Sequence, residues 1–125
     1  MKNIAIIVTT PPTSHFTKTA LEFVKDAAMQ FNVTGVFFYQ AGVLNGARNI
    51  DLPSDEVNLS IAWRNIAQDL NISLHLCSTA AERFGLTCFL DDGQPSLQTI
   101  QQGFKPSGLG EMVALINSAD RMIQL

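Results

Sequence analysis

The apolar and polar positions of this chain follow two alternating rhythms. Ile4 to Val8 is an unbroken apolar run rich in β-branched residues, which fits a strand buried on both faces of a parallel sheet. Pro11 and Pro12 then break the chain and Thr13 or Ser14 offers a cap. Phe16, Ala20, Phe23, Val24, Ala27 and Phe31 recur at helical spacing and predict a first helix with that stripe inward. Thr34 to Tyr39, centred on Val36-Phe37-Phe38-Tyr39, follows a turn containing Asn32 and completes a right-handed βαβ unit. Gln40 to Pro53 carries Gly42, Gly46 and several Asn and Asp residues and reads as a long loop, of the kind that often carries function. Ser54 or Asp55 is positioned to cap a second helix, with Glu56 near its positive end and Leu59, Trp63, Ile66 and Leu70 facing inward.

In the second half, Ile72, Leu74 and Leu76 alternate with Ser73 and His75, so a third strand ends at Cys77. A short helix follows at once: Ser78 or Thr79 caps it, Ala80 to Phe84 propagate it, and Gly85 supplies a left-handed end. Leu86 to Gln102 gives mixed signals, with Asp91-Asp92-Gly93 and Pro95 marking a turn between two weakly apolar pieces. Ser107 and Gly108 precede Leu109, Met112, Val113, Ile116 and Ala119, a helical pattern running to about Ser118 with Glu111 in its first turn. Met122 to Leu125 reads as a last short strand. Strands alternating with helices predict an α/β fold, a single three-layer domain over residues 1–125 built on a mainly parallel sheet flanked by helices.

Length and composition narrow the function. A chain of 125 residues with 46% hydrophobic and 15% charged residues is one domain with a substantial core. Eight Lys and Arg against eleven Asp and Glu give a formal charge of -3 without a basic stripe, which argues against direct nucleic-acid binding. The start, Met1-Lys2-Asn3 followed by a short apolar run, lacks the core and cleavage site of a signal peptide, so a cytoplasmic protein is expected. No apolar stretch approaches the ~20 residues that cross a bilayer. Cys77 and Cys88 are too few for a disulfide framework, and both are expected as thiols in a reducing compartment.

Ligands and reactive groups in open α/β sheets gather beyond the carboxyl ends of the strands. The segments to examine are therefore Pro11 to His15, Gln40 to Asn49 and Cys77 to Thr79. Cys77 is the informative residue, because a thiol at a strand-to-helix junction faces unpaired backbone N–H groups, a setting that favours thiolate. Position alone leaves two readings open, this nucleophile or a small hydrophobe ending an apolar strand. Cys88, beside Phe89 and Leu90, reads as packing, and no C-x-x-C spacing makes the two cysteines a redox pair. His75 shares a strand face with Cys77 but stands too far along the strand to act as its base. His15 follows the first strand and reads as solvated or at the same sheet edge. Gly108-Leu109-Gly110 opens a helix but lacks the lysine and spacing of a phosphate loop, so a turn or tight packing explains it. Asp55 and Glu56 do not face each other on a helix, and two His with two Cys assemble no metal cluster by local spacing.

Five ordered blocks together resemble the DsrE/TusD family of small sulfur-relay proteins, nearest its TusD/DsrE branch. They are Ile4-Ala-Ile-Ile-Val-Thr-Thr-Pro11; Val36-Phe-Phe-Tyr-Gln-Ala-Gly-Val-Leu-Asn45; Ser54-Asp-Glu with Ala62-Trp63; Leu76-Cys77-Ser-Thr-Ala-Ala-Glu-Arg83 closed by Gly85; and Gln101-Gln-Gly-Phe104 leading to Ser107-Gly-Leu-Gly110 and Asp120-Arg121. The resemblance covers essentially the whole chain and implies a DsrE/F-like fold. It also implies that Cys77 matches the cysteine that carries sulfane sulfur as a persulfide, received from an upstream persulfide donor and passed to a cysteine on a downstream carrier protein, with no bound cofactor. Members of this kind assemble with homologous small subunits into heterohexamers, TusBC-like or DsrFH-like, so apolar residues of the 40 to 53 loop become interface candidates. The implied destination is tRNA wobble 2-thiouridine, with cytoplasmic sulfur oxidation as the alternative. A non-catalytic scaffold and a flavodoxin-like ligand binder are the competing readings. Two departures stand out: Arg83-Phe84 where related chains carry two adjacent basic residues, and a loop from Pro11 to Thr17 without glycine.

Overall fold

The computed structural model describes residues 1–48, 58–86 and 99–125. Along the chain these form β1 (Asn3–Val8), α1 (His15–Ala27), β2 (Asn32–Phe38), a 3₁₀ helix (Gln40–Gly46), α2 (Leu59–Leu70), β3 (Ser73–Cys77), α3 (Ser78–Arg83), β4 (Phe104–Ser107), α4 (Leu109–Asn117) and β5 (Arg121–Gln124). The strands make one sheet in the order β4-β3-β2-β1-β5, and every neighbouring pair is parallel. The α/β architecture, with a parallel sheet flanked by helices, is the one the alternating pattern predicts.

The apolar runs explain which strands lie inside. β1 and β2 each have a neighbour on either side and helices on both faces, so Ala5, Ile6, Val8, Val36, Phe37 and Phe38 are all fully buried. Residues alternate between the two faces. Phe38 meets Trp63 of α2 edge-on with ring centroids 5.1 Å apart and packs against Phe104 at 5.4 Å. Gly35 lies on the other face, under Leu115 of α4, where an added Cβ would come within 3.0 Å of that side chain. α1 and α2 therefore cover one face and α4 the other. The carboxyl-terminal strand is fastened at its start, where Asp120 accepts from the Asn3 N–H at 2.8 Å and returns its own N–H to the Asn3 carbonyl.

Several local expectations change. α1 begins with Ser14 as its cap, as expected, but its inward face is Thr17, Ala20, Leu21, Val24 and Ala27, while Phe16 is 75% exposed. The phenylalanines carry a helical period, yet the buried stripe takes Thr17 and Leu21 in place of Phe16 and Phe23, and Thr17 is held from within. Its hydroxyl bonds the Pro11 carbonyl and the Thr10 hydroxyl. α2 buries Leu59, Trp63 and Ile66 as predicted, exposes Leu70, and is capped by Asn58, whose side chain accepts from the Ile61 N–H. The expected cap at Ser54 or Asp55, Glu56 beside it, the turn at Asp91-Asp92-Gly93 with Pro95, and Cys88 lie outside the described residues.

Gln40 to Gly46 is not an exposed loop but a packed 3₁₀ helix. Val43 and Asn45 are fully buried and Ala47 nearly so, which removes these residues from the interface expected of the 40 to 53 loop; residues 49–53 lie outside the described residues. Close approach requires the glycines here: a Cβ on Gly42 would lie 2.1 Å from the Val8 carbonyl oxygen. Asn45 holds the segment by donating to the carbonyls of Thr10 and Gly42, both at 2.9 Å, while its Oδ1 accepts from Trp63 Nε1 at 3.3 Å. The strand ends and α2 are thus tied to one buried amide.

Candidate active site at the end of β3

β3 ends where α3 begins, and Cys77 sits at that junction as the N-cap residue, with extended backbone angles. The expected caps, Ser78 and Thr79, are instead the first residues of the helix. The Cys77 side chain makes no capping hydrogen bond, and the leading N–H groups of any helix lack intrahelical acceptors. Gly85, at φ +76°, provides the left-handed turn that ends this short helix.

Cys77 is a free thiol and only 2% exposed, which on burial alone fits the hydrophobe reading. Its surroundings also include open space. It lines a pocket of about 360 Å³, shared with Tyr39, Gln40 and Ala41 from the end of β2 and with Thr79, Ala80 and Arg83 from α3. Phe84 and Leu109, both nearly half exposed, complete the rim. Cys77 therefore borders a solvent-connected pocket without being on the outer surface. Gln40 makes this wall possible by adopting φ 52°, a left-handed conformation unusual for a residue with a long side chain, as the chain turns from β2 into the 3₁₀ helix.

Of the three strand-end segments singled out from the sequence, two meet here, Gln40–Ala41 and Cys77–Thr79. Pro11 to His15 does not line the pocket, and His15 is exposed on the first turn of α1. His75 lies on the same face of β3 as Cys77 but bonds elsewhere: its Nδ1 is 2.9 Å from the Ser107 hydroxyl and its ring stacks on Phe37 at 6.3 Å. Burial lowers the His75 pKa from its ordinary value. The Glu111 carboxylate opposes that shift, and the Lys105 ammonium adds to it. Imidazole at this position is therefore mainly neutral at pH 7.

The sequence gives no sign of β4, which pairs with β3 and makes Ser107 the register partner of Cys77. Phe104-Lys-Pro-Ser107 is short, lacks apolar alternation and contains a proline, which this edge strand tolerates. Gly108 and Gly110 have open space where a Cβ would lie and no positive φ, so neither packing nor a turn accounts for them. Tyr39 and Leu109 are also pocket residues that the sequence does not single out. Tyr39 follows directly from the strand-end rule, whereas Leu109 depends on a crossover that composition does not reveal.

The parallel sheet flanked by helices defines an α/β fold, and the chain's relatives give its family. Residues 2–125 match the DsrE/DsrF-like family, and the chain belongs to that family. It is 43% identical over 91 residues to the sulfurtransferase TusD of Sodalis glossinidius (strain morsitans), covering 71% of this chain and 70% of that protein. It is 39% identical over 93 residues to the sulfurtransferase TusD homolog of Pasteurella multocida (strain Pm70), covering 74% of each. Among solved structures, the ychN protein from E. coli superposes with a TM-score of 0.79 over 100% of both chains at 20% identity, a likeness of fold.

Proposed function

We propose that this chain is a sulfur-relay sulfurtransferase subunit in which Cys77 carries sulfane sulfur as a persulfide. The observation that carries this reading is the free Cys77 thiol on the wall of a solvent-connected pocket, at the N-cap of α3. Likeness to proteins named sulfurtransferase TusD supports the sulfurtransferase role.

The chemistry is an exchange without net oxidation. The Cys77 thiolate attacks the outer sulfur of a donor persulfide, a new S–S bond forms at Cys77, the donor's own S–S bond breaks, and the donor thiolate leaves. The second half reverses the roles: a carrier thiolate attacks the outer sulfur on Cys77 and restores its thiolate. Each half-step creates a sulfur anion at a pocket whose lining is part polar and part apolar. Arg83 is the pocket cation nearest in sequence to that charge, and the N–H groups at the start of α3 are suited to donate hydrogen bonds to it. A thiolate exchanges sulfur with a persulfide without a cofactor, so none is included.

Partners follow from access. Both donor and acceptor are proteins that must present a cysteine to the pocket rim at Phe84 and Leu109. α4 is apolar around most of its circumference and has no fully buried residue, with Leu109 and Val113 about half exposed. A helix of that composition is normally covered. Homologous small subunits, assembled as a heterohexamer, are the proposed cover, and this chain contributes a single DsrE-like domain in the cytoplasm. The destination proposed for the sulfur is wobble 2-thiouridine of tRNA, with the nucleic acid handled by a later enzyme. The test is complementation of a relay-deficient strain, read as 2-thiouridine content of its tRNA. Wild type restores it and Cys77→Ser does not; full restoration by Cys77→Ser would refute the carrier role.

A further inference from the structure

Beside Cys77 the structure holds a polar pair, a buried serine and a half-buried histidine, that the transfer steps above leave unused. Ser107 is 5% exposed and is the register partner of Cys77 across the β3–β4 ladder, so the two side chains stand next to each other on one face of the sheet. His75, two residues before Cys77 on the same face, brings Nδ1 to 2.9 Å from the Ser107 oxygen. The Ser107 hydroxyl in turn reaches the Lys105 carbonyl at 3.3 Å. A hydroxyl has one proton and a carbonyl only accepts. With the Ser107 proton directed at Lys105, the proton in the shorter contact belongs to His75 Nδ1, which leaves Nε2 unprotonated on the neutral ring.

Ser107 precedes Gly108, the N-cap of α4, but does not cap that helix. Its hydroxyl is instead held between His75 and the Lys105 carbonyl. The 3.3 Å bond to Lys105 is long and weak, so the hydroxyl can rotate away from it at little cost once a better acceptor is adjacent. A sulfur anion on Cys77 is such an acceptor, because hydrogen bonds to charged groups are about twice as strong as neutral ones.

We propose that Ser107 is a positioning residue for the Cys77 sulfur: it turns its hydroxyl from the Lys105 carbonyl to the thiolate or persulfide anion, while His75 Nδ1–H holds the serine oxygen in place. This rests on the reading of Cys77 as the sulfur carrier. It adds a donor on the β4 side of the sulfur, opposite the start of α3. The charged groups acting on His75 are Lys105 on β4 and Glu111 on α4, and Arg83 on α3 and Tyr39 at the end of β2 line the Cys77 pocket.

The test is the pH–rate profile of Cys77 alkylation by iodoacetamide in the full chain, read by mass on the Cys77 peptide so that Cys88 does not contribute. Removing a hydrogen-bond donor to an anion disfavours the anion. Ser107→Ala is expected to move the profile up by about one pH unit and slow alkylation at pH 7 about ten-fold. Ser107→Thr, which keeps the hydroxyl, is expected to stay within about two-fold of wild type. His75→Phe, which keeps the stacking on Phe37, moves the profile in the same direction by a smaller amount. A Ser107→Ala profile superimposed on wild type overturns the proposal. Should that variant not fold, His75→Phe decides by the same criterion. Alkylation needs no sulfur loading, so the result stands apart from whether Cys77 ever becomes a persulfide.

Discussion

Trp63 of α2 donates its indole N–H to Asn45 of the 3₁₀ helix at 3.3 Å, deep in the core, and through that bond the helix packing reaches the wall of the Cys77 pocket. Both side chains are fully buried. The amide satisfies one donor and two carbonyls at once, those of Thr10 and Gly42. Asn45→Ala leaves all three without their partner. At about 1–3 kcal/mol for an unsatisfied buried group, partly relieved by water and relaxation, the expected loss is about 2–4 kcal/mol. Urea unfolding checks it, and a variant within about 0.5 kcal/mol of wild type would contradict the role given to this amide.

Two glycine substitutions are expected to have opposite signs. Gly42→Ala puts a methyl group 2.1 Å from the Val8 carbonyl oxygen, so the 3₁₀ helix must shift, at a cost of at least about 2 kcal/mol. Gly110→Ala meets nothing within 4 Å in the first turn of α4 and removes a poor helix former, with an expected gain of about 0.5–1 kcal/mol. Thermal melts of the two variants under one buffer separate the cases.

The inward face of α1 gives a third pair. Phe16→Ser is expected to change stability by less than about 0.5 kcal/mol, because the ring is 75% exposed. Thr17→Val keeps the shape but removes the hydroxyl that bonds Pro11 and Thr10, and is expected to cost about 1–2 kcal/mol. The reverse ranking would restore the phenylalanine stripe as the buried face.

His75 makes stability depend on pH in a defined window. Burial depresses its folded pKa below the ordinary 6.5, with Glu111 opposing and Lys105 assisting. The unfolded chain therefore binds the proton first as pH falls. The His75 contribution is fully present above pH 6.5 and is lost as pH drops from there through the folded pKa. Urea midpoints measured from pH 7.5 downward should fall less steeply in His75→Phe than in wild type. Parallel curves would assign the acid sensitivity to other groups.

How far the sequence reaches can be followed residue by residue. The runs Ile4–Val8 and Val36–Phe38 read as central strands because burial on both faces leaves no polar position in them, and they are the centre of the sheet. Cys77 is legible for a similar reason, since a strand followed at once by a helix fixes its place in any parallel sheet. Failures occur where long-range contacts decide. β4 has no local signature, because its strand character comes from pairing with β3, and Ser107 is invisible as a neighbour of Cys77 until that pairing exists. Gln40 to Gly46 has loop composition, yet the buried Asn45 network folds it into the core. The predicted and observed stripes of α1 share Ala20, Val24 and Ala27, and they differ where Thr17, bonded to the preceding turn, and Leu21 are buried in place of Phe16 and Phe23.

The carrier role of Cys77 is tested most directly by intact-mass analysis of the full chain after incubation with a cysteine desulfurase and cysteine, followed by peptide mapping under non-reducing conditions. The account predicts a species heavier by one sulfur atom, mapped to Cys77, removed by a thiol reductant and absent in Cys77→Ser. Added sulfur found on Cys88 alone, or retained in full by Cys77→Ser, would contradict it.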